Sequence, residues 1–270
     1  MCVLNSNHKN NNLMETSCPS IVLLLRGHER MALKNKKLYN FVRELTQLFT
    51  VRIYIHSWNI SEARTSWRDL PKKRYDIHDS VFLSYFEGLI GVSIIKIKIE
   101  SDINIKLYGN IDGFISKLPK IAWKRMWYGQ YNAMKQIKEI EDSKSMVLNM
   151  RIDYFDCEST LEYKITTQMI LEKLKQECEE NNVRFMHELE VYKGVDNLMF
   201  GPVKYMYTLI YHFNYNLDWI VSLYPYIICQ EAMVFLETDR LFKGGKLKTD
   251  LEYFMTSFSV FVDDILSKSN

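Results

Sequence analysis

Glycine and proline are scarce in this chain, at 10 and 5 of 270 residues. So few turn-formers argue against a turn-rich all-β sandwich and against long disordered linkers. Cysteine is sparse too: five residues, at positions 2, 18, 157, 178 and 229, with no Cys-x-x-Cys pair. An odd, scattered set is neither a disulfide framework nor a zinc site, and it suits a reducing, cytoplasmic compartment. Long apolar runs are missing. Ile21–Leu25 is far too short to span a bilayer, and no apolar stretch precedes it. The Asn-rich start therefore reads as a frayed tail over residues 1–19 and not as a secretory signal. Charge of one sign is missing as well: 35 Lys and Arg stand against 33 Asp and Glu, a net +2 with no dense basic face. Nucleic acid is not the expected partner.

What is abundant is apolar and aromatic: 47% hydrophobic residues, with 17 Tyr, 14 Phe and 5 Trp. That content can bury a sizeable core in one large α/β domain. Ile21–Leu25 is apolar on both sides, the pattern of a buried parallel strand, and it stops at Arg26-Gly-His-Glu-Arg30. Leu33–Phe49 carries Leu38, Phe41, Val42, Leu45, Leu48 and Phe49 at helical spacing, which predicts an amphipathic helix. Val51–Ile55 reads as a second strand ending at His56-Ser-Trp58, so the chain opens with a strand–helix–strand unit of a doubly wound fold.

Further along, 59–79 reads as a loop, and Asp79 as the cap of a short helix to Leu89. Val92–Ile99 is a third strand by its β-branched content, 109–119 a loop, 120–141 a helix and 145–152 a fourth strand. In the second half the pattern predicts a helix over 160–181, short strands at 183–186 and 189–192, and a helix opened by Pro202. Further helices are expected over 226–241 and 251–266. There is no internal repeat and no clear linker. The pattern predicts a single domain over 20–270, with a ligand-binding half at 20–156 and an acceptor half at 157–270.

Ligands of open α/β sheets lie at the carboxyl ends of the strands. Three such ends carry polar clusters here: Arg26–Arg30, His56–Trp58 and Arg151–Asp153. Arg26 and Arg30 can pair with a diphosphate, or form surface ion pairs with a Glu. Gly27 permits a tight turn or close approach of a ligand. His28 can bond a ribose or base, or the backbone. Trp58, beside His56, can stack on a nucleobase or close the core edge. Asp153 can hold Mn²⁺ or Mg²⁺ against a diphosphate, or cap the next segment. Lys124 is a further candidate to reach the site. Glu231 and Asp196 are the candidate general bases, with capping as the plain alternative.

A strand followed by Arg-Gly-His-x-Arg (26–30), then Ile-His-Ser-Trp (55–58), then Arg-x-Asp (151–153), resembles glycosyltransferase-like proteins of large DNA viruses and some bacteria. Ser66-Trp-Arg68 and the Trp-Lys-x-Met-Trp-Tyr run at 123–128 fit the viral members, and the resemblance covers about residues 20–235. It implies a GT-A-type, Rossmann-like domain. The donor would be a nucleotide-sugar, UDP-linked and carrying xylose or another pentose, and the acceptor a glycan or glycoprotein, such as a viral capsid glycan made in the host cytoplasm. It also implies inverting transfer with a divalent metal. Here the acidic motif is Arg151-Ile-Asp153 and not Asp-x-Asp, so Arg151 itself can neutralise charge. The C-terminal metal-binding His of many such enzymes has no counterpart, since His212 is the last histidine. Two other readings stand beside this one: a GT-B-related fucosyltransferase-like enzyme, for which 270 residues is short, and an inactive glycan- or protein-binding module on the same scaffold.

Overall fold

The apolar run at 21–25 extends into strand β1 (Ser20–Gly27), and the second strand into β2 (Thr50–Trp58). The β-branched segment is β3 (Val92–Glu100). The computed structural model describes residues 19–65, 74–115, 118–156, 166–179, 197–225 and 230–241. The short pair β4 (Phe114–Ile115) and β5 (Leu118–Pro119) forms a hairpin where the sequence predicts only loop. β6 is Met146–Arg151, and β7 is Leu198–Pro202.

The main sheet has the order β3-β2-β1-β6-β7. Its first four members are parallel, and β7 runs antiparallel on β6. The expected α/β class, a mostly parallel Rossmann-like sheet flanked by helices, is what forms. The chain winds outward from β1 to β3, then crosses back to place β6 on the other side of β1. The carboxyl ends of β1 and β6 therefore flank the topological switch point, where such sheets leave a crevice.

β1 alternates its side chains between two cores, because successive strand residues face opposite ways. Ile21, Leu23 and Leu25 join the core with helices α1 (Lys37–Leu45) and α2 (Asp79–Phe86); Val22 and Leu24 join the core on the other face. That second face is covered by α3 (Lys120–Ile140), a helix α5 (Val203–Leu223) and a further helix α6 (Gln230–Leu241). The ring of Trp127 on α3 stacks on Phe213 of α5, with centroids 4.3 Å apart. The remaining helix, α4, is Thr167–Glu179, later in its start than expected. Pro202 sits at the N-cap of α5, as its fixed φ suits.

Three expectations need correction. α1 starts at Lys37 and not near Leu33, because residues 32–34 form a 3₁₀ turn and Asn35 Oδ1 accepts from Lys37 N. The N-cap of α2 is His78; Asp79 is the first helical residue and accepts from Ser80 N. Leu198–Pro202, where the sequence predicts no strand, is an edge strand of the main sheet. The expected tail, the Ser66-Trp-Arg68 motif, the short strands at 183–186 and 189–192, Asp196 and the closing segment 251–266 lie outside the described residues. Among the described residues no helix is long and apolar enough to cross a membrane.

Candidate anion-binding cleft

Residues in register on neighbouring strands share a face of the sheet. Arg26 is in register with His56 on β2 and with Arg151 on β6, so these three stand in one row. A register shift between β2 and β3 extends the row. Beyond Ile53, Tyr54 pairs with Lys96, which puts Lys98 opposite His56 and Glu100 opposite Trp58. Without that extra residue, Ile97 and Ile99 would occupy those places, since a one-residue slip exchanges the faces of a strand. The bulge thus delivers a carboxylate to the row. Glu100 Oε2 lies 2.9 Å from His56 Nε2, and Lys98 Nζ lies 3.0 Å from Glu100 Oε1.

The loop after β1 is conformationally unusual. Gly27 has φ 101°, and the non-glycine residues Arg30 and Met31 have 47° and 70°. Left-handed backbone costs about 1–2 kcal/mol for an L-residue, so something must hold this pair. The buried Glu29 does so: its carboxylate accepts from Met31 N (2.9 Å) and Leu33 N (3.0 Å), and also from the Tyr75 hydroxyl. Arg30 is thereby aimed across the switch point. Its Nη1 donates to Asp153 Oδ2 at 3.0 Å and its Nε to Glu62 at 2.9 Å.

Asp153 is held from the other side by Arg151. Arg151 Nε reaches Oδ1 at 2.8 Å and Nη2 reaches Oδ2 at 2.5 Å, while Nη1 donates to Asn197 Oδ1 at 2.8 Å. Deeper in, Arg26 Nε donates to Asn149 Oδ1, and Asn149 Nδ2 donates to Gln130 Oε1, each at 2.9 Å. Gln130 belongs to the face of α3 that forms the opposite wall, with Ala122, Arg125, Met126 and Gly129 along it at helical spacing. Gly129 is needed for the approach: a Cβ there would lie 2.8 Å from His56 Nδ1. Arg125 Nη1 stands 3.7 Å from the buried Asp102, whose other oxygen accepts from Arg64 at 2.9 Å.

The cleft, partly open to solvent, has a volume of about 190 Å³, below the roughly 300–1,000 Å³ of sites that enclose a whole drug-sized ligand. Four arginines (26, 30, 125, 151) face two aspartates (102, 153) around it, a net +2 with both histidines neutral. Burial, then the charge of Arg30, holds the His28 imidazole well below its ordinary range. Burial also lowers His56, against the pull of Glu100. Burial alone would raise Glu100, but the hydrogen bonds from His56 and Lys98 outweigh it and bring the group down to about 2. Burial would raise Asp153 as well, but the charges of Arg151 and Arg30 outweigh it and hold the group far below the usual carboxylate range.

Several nitrogens of the cleft residues have no hydrogen-bond partner among the described residues: His28 Nε2, His56 Nδ1, Trp123 Nε1, Arg125 Nε and Gln130 Nε2. Leaving a buried donor unmatched costs about 1–3 kcal/mol. The donors among them, Trp123 Nε1, Arg125 Nε and Gln130 Nε2, stand beside a cationic row and are complementary to an oxygen-rich anion; His56 Nδ1, with Nε2 donating to Glu100, is an acceptor.

Of the residues singled out in the sequence, Arg26, Gly27, His28, Arg30, His56, Trp58, Arg151 and Asp153 meet at this one cleft. Lys124 does not line it: its Nζ donates to Tyr108 O and lies 2.9 Å from Asp218 Oδ2, tying α3 to α5. Its neighbour Arg125 takes the place expected for it. Trp58 is only 3% exposed and packs against Tyr128, His56 and His28, so it is a wall and not an open stacking platform. Glu231 lies in the first turn of α6, and Asp196 is outside the described residues. Sequence reasoning missed Arg125, Asp102, Gln130, Asn149 and Glu29. Residues 122, 125, 126, 129 and 130 share one helical phase, but the apolar pattern of α3 does not say that this face lines the cleft.

The oxygens at Asp153 and Asp102 are few for a divalent cation. Such an ion takes six or more oxygens. Three of the roughly four acceptor positions of Asp153 are taken by guanidinium N–H groups, and Asp102 is ion-paired with Arg64 and Arg125. No group of three metal-binding side chains occurs among the described residues. His212 is bonded to Glu237 between α5 and α6, away from the cleft. The described residues do not fit a Mn²⁺ or Mg²⁺ centre at Asp153. The chain matches no family model, no curated protein and no solved structure.

Proposed function

We propose that this protein binds the diphosphate of a nucleotide-sugar, UDP-linked in the first instance, and transfers the sugar to a glycan acceptor. One observation carries the reading: unmatched donors and four arginines gather at the switch point of a Rossmann-like sheet. Guanidinium groups match phosphate oxygens bidentately, which suits Arg26 and Arg151 on the strand ends and Arg30 in the loop after β1. The resemblance of the 26–30, 55–58 and 151–153 motifs to glycosyltransferase-like proteins supports the sugar-transfer part. A pentose as the transferred group rests on that resemblance alone.

A second reading, a binding module without turnover, is favoured by a specific feature. Asp102 and Asp153 are the carboxylates lining the cleft among the described residues, and both are ion-paired. Calorimetric titration with UDP, GDP and CDP tests the shared core of both readings. Binding of at least one is expected, and no heat from any of them at millimolar concentration removes the transferase reading. Release of UDP from a panel of UDP-sugars with glycan acceptors then separates enzyme from module.

A further inference from the structure

We infer that the cleft neutralises its diphosphate with its arginines, without a divalent metal, and that Asp153 is a positioning residue for Arg30 and Arg151. The inference rests on the nucleoside-diphosphate reading above and replaces the metal expected at Asp153. A carboxylate that serves a cation must offer it lone pairs. Here Oδ1 accepts from Arg151 Nε at 2.8 Å, and Oδ2 from Arg151 Nη2 at 2.5 Å and Arg30 Nη1 at 3.0 Å. Admitting a metal here would break these charge-assisted hydrogen bonds, which are about twice as strong as neutral ones.

The arrangement does something else well. Asp153 draws together two arginines that come from strand ends on either side of the switch point, and Arg30 stands 123 positions before it in the chain. Each arginine keeps a second anchor: Glu62 for Arg30 and Asn197 for Arg151. The guanidinium planes are thus fixed before a ligand arrives, which reduces what binding must spend on ordering long side chains. The unmatched nitrogens of the same cleft belong to donors such as Arg125 Nε and Gln130 Nε2, which a metal ion cannot satisfy and a phosphate oxygen can. Charge agrees with this: a net positive cleft repels a cation and attracts an oxyanion.

The test uses UDP and Mn²⁺ as probes on the full chain. UDP affinity is measured by calorimetry in EDTA and again with Mn²⁺, and Mn²⁺ uptake is followed by its electron paramagnetic resonance signal. The expected result is equal UDP affinity in both buffers and no stoichiometric Mn²⁺ uptake. Arg151→Gln should weaken UDP at least about tenfold, with Arg151→Lys intermediate. Asp153→Asn should weaken UDP by the same factor with and without Mn²⁺, since a strut acts on the arginines and not on a metal. UDP binding that requires Mn²⁺, or stoichiometric Mn²⁺ uptake abolished by Asp153→Asn, overturns the inference while leaving the nucleotide reading intact. If UDP binds in neither buffer, the nucleotide reading falls and this inference with it. The wild-type measurements need no variant to fold, so the question is decided even if Arg151→Gln is unstable.

Discussion

Gly129→Ala is the sharpest test of how the cleft is built. In the interior of an exposed helix this change stabilises by about 0.8–1.0 kcal/mol, because alanine loses less backbone freedom. Gly129 is not in that situation. The added Cβ would lie 2.8 Å from His56 Nδ1 and 2.9 Å from Cε1, closer than non-bonded atoms approach. The imidazole cannot step aside cheaply: it is fully buried, and its Nε2 is tied to Glu100 at 2.9 Å. Inserting a methyl group into such a contact costs about 1–3 kcal/mol. The two effects combine to a net loss of up to about 2 kcal/mol, or several degrees in Tm for a chain of this size. Denaturant unfolding with its slope monitored is the assay. A double-mutant cycle isolates the contact: with His56→Ala in place, Gly129→Ala should recover its helical gain, so the two changes couple strongly. A single Gly129→Ala variant that is about 1 kcal/mol more stable than wild type would mean that α3 and β2 do not meet at this point. The geometry of the cleft wall would then be wrong.

Two further outcomes are expected. His28 and His56 have folded-state pKa values below their ordinary one, so between these limits the unfolded chain holds the extra protons. Stability should therefore be full above about pH 6.5 and fall as the pH drops below it, and denaturation curves compared at about pH 7.5 and about pH 5.5 should show a smaller loss for His28→Gln. Glu231→Gln should lower sugar transfer by at least about a hundredfold with UDP affinity unchanged, the scale of losing a general base. Glu231 lies in the first turn of α6. Activity retained in Glu231→Gln but lost in Asp196→Asn moves the assignment to Asp196; activity retained in both removes an acceptor-side base.

The strands and the long helix were legible because their signals are local. β1 is apolar on both sides and stops at a cluster of charges, and α3 repeats large apolar residues at helical spacing. The convergence of Arg26, His56 and Arg151 also came from strand order alone. What escaped was set by register and phase. The bulge in β3 decides whether Ile97 and Ile99 or Lys98 and Glu100 stand beside the site, and nothing within residues 92–100 announces it. Lys124 and Arg125 are adjacent basic residues on a helix buried on two faces, against the sheet and against α5. Its apolar pattern does not say which of them turns to the strands. The partners of Asp153 were invisible for another reason: the bond from Arg30 spans 123 positions, and a carboxylate close to an arginine in sequence reads equally as metal ligand, cap or ion pair. β7 was missed because its apolar core, Leu198–Phe200, is bounded by a Gly-Pro pair that reads as a turn. Pro202 is tolerated there as the last residue of an edge strand.

The same features that make the cleft recognisable make it costly to the free protein. Left-handed backbone at Arg30 and Met31, several unmatched buried nitrogens and four arginines around one cavity all oppose folding. Each is of the order of 1–3 kcal/mol, against a net stability of about 5–15 kcal/mol for a domain. Such costs persist only where surrounding structure over-determines them, and here it does. Glu29 fixes the loop through two backbone N–H groups, while Asp153 and Asn149 fix three of the arginines. An apolar cleft of the same shape would be easier to fold. An anion that supplies oxygens to the unmatched donors and charge to the arginines returns part of this cost on binding, and it does so only in the folded state. Folding and ligand recognition are therefore linked through one set of atoms. The stabilisation conferred by a ligand, which grows with its concentration over its Kd, should depend on Arg151 and Gln130 and not on the distant Glu237–Arg240 pair on α6.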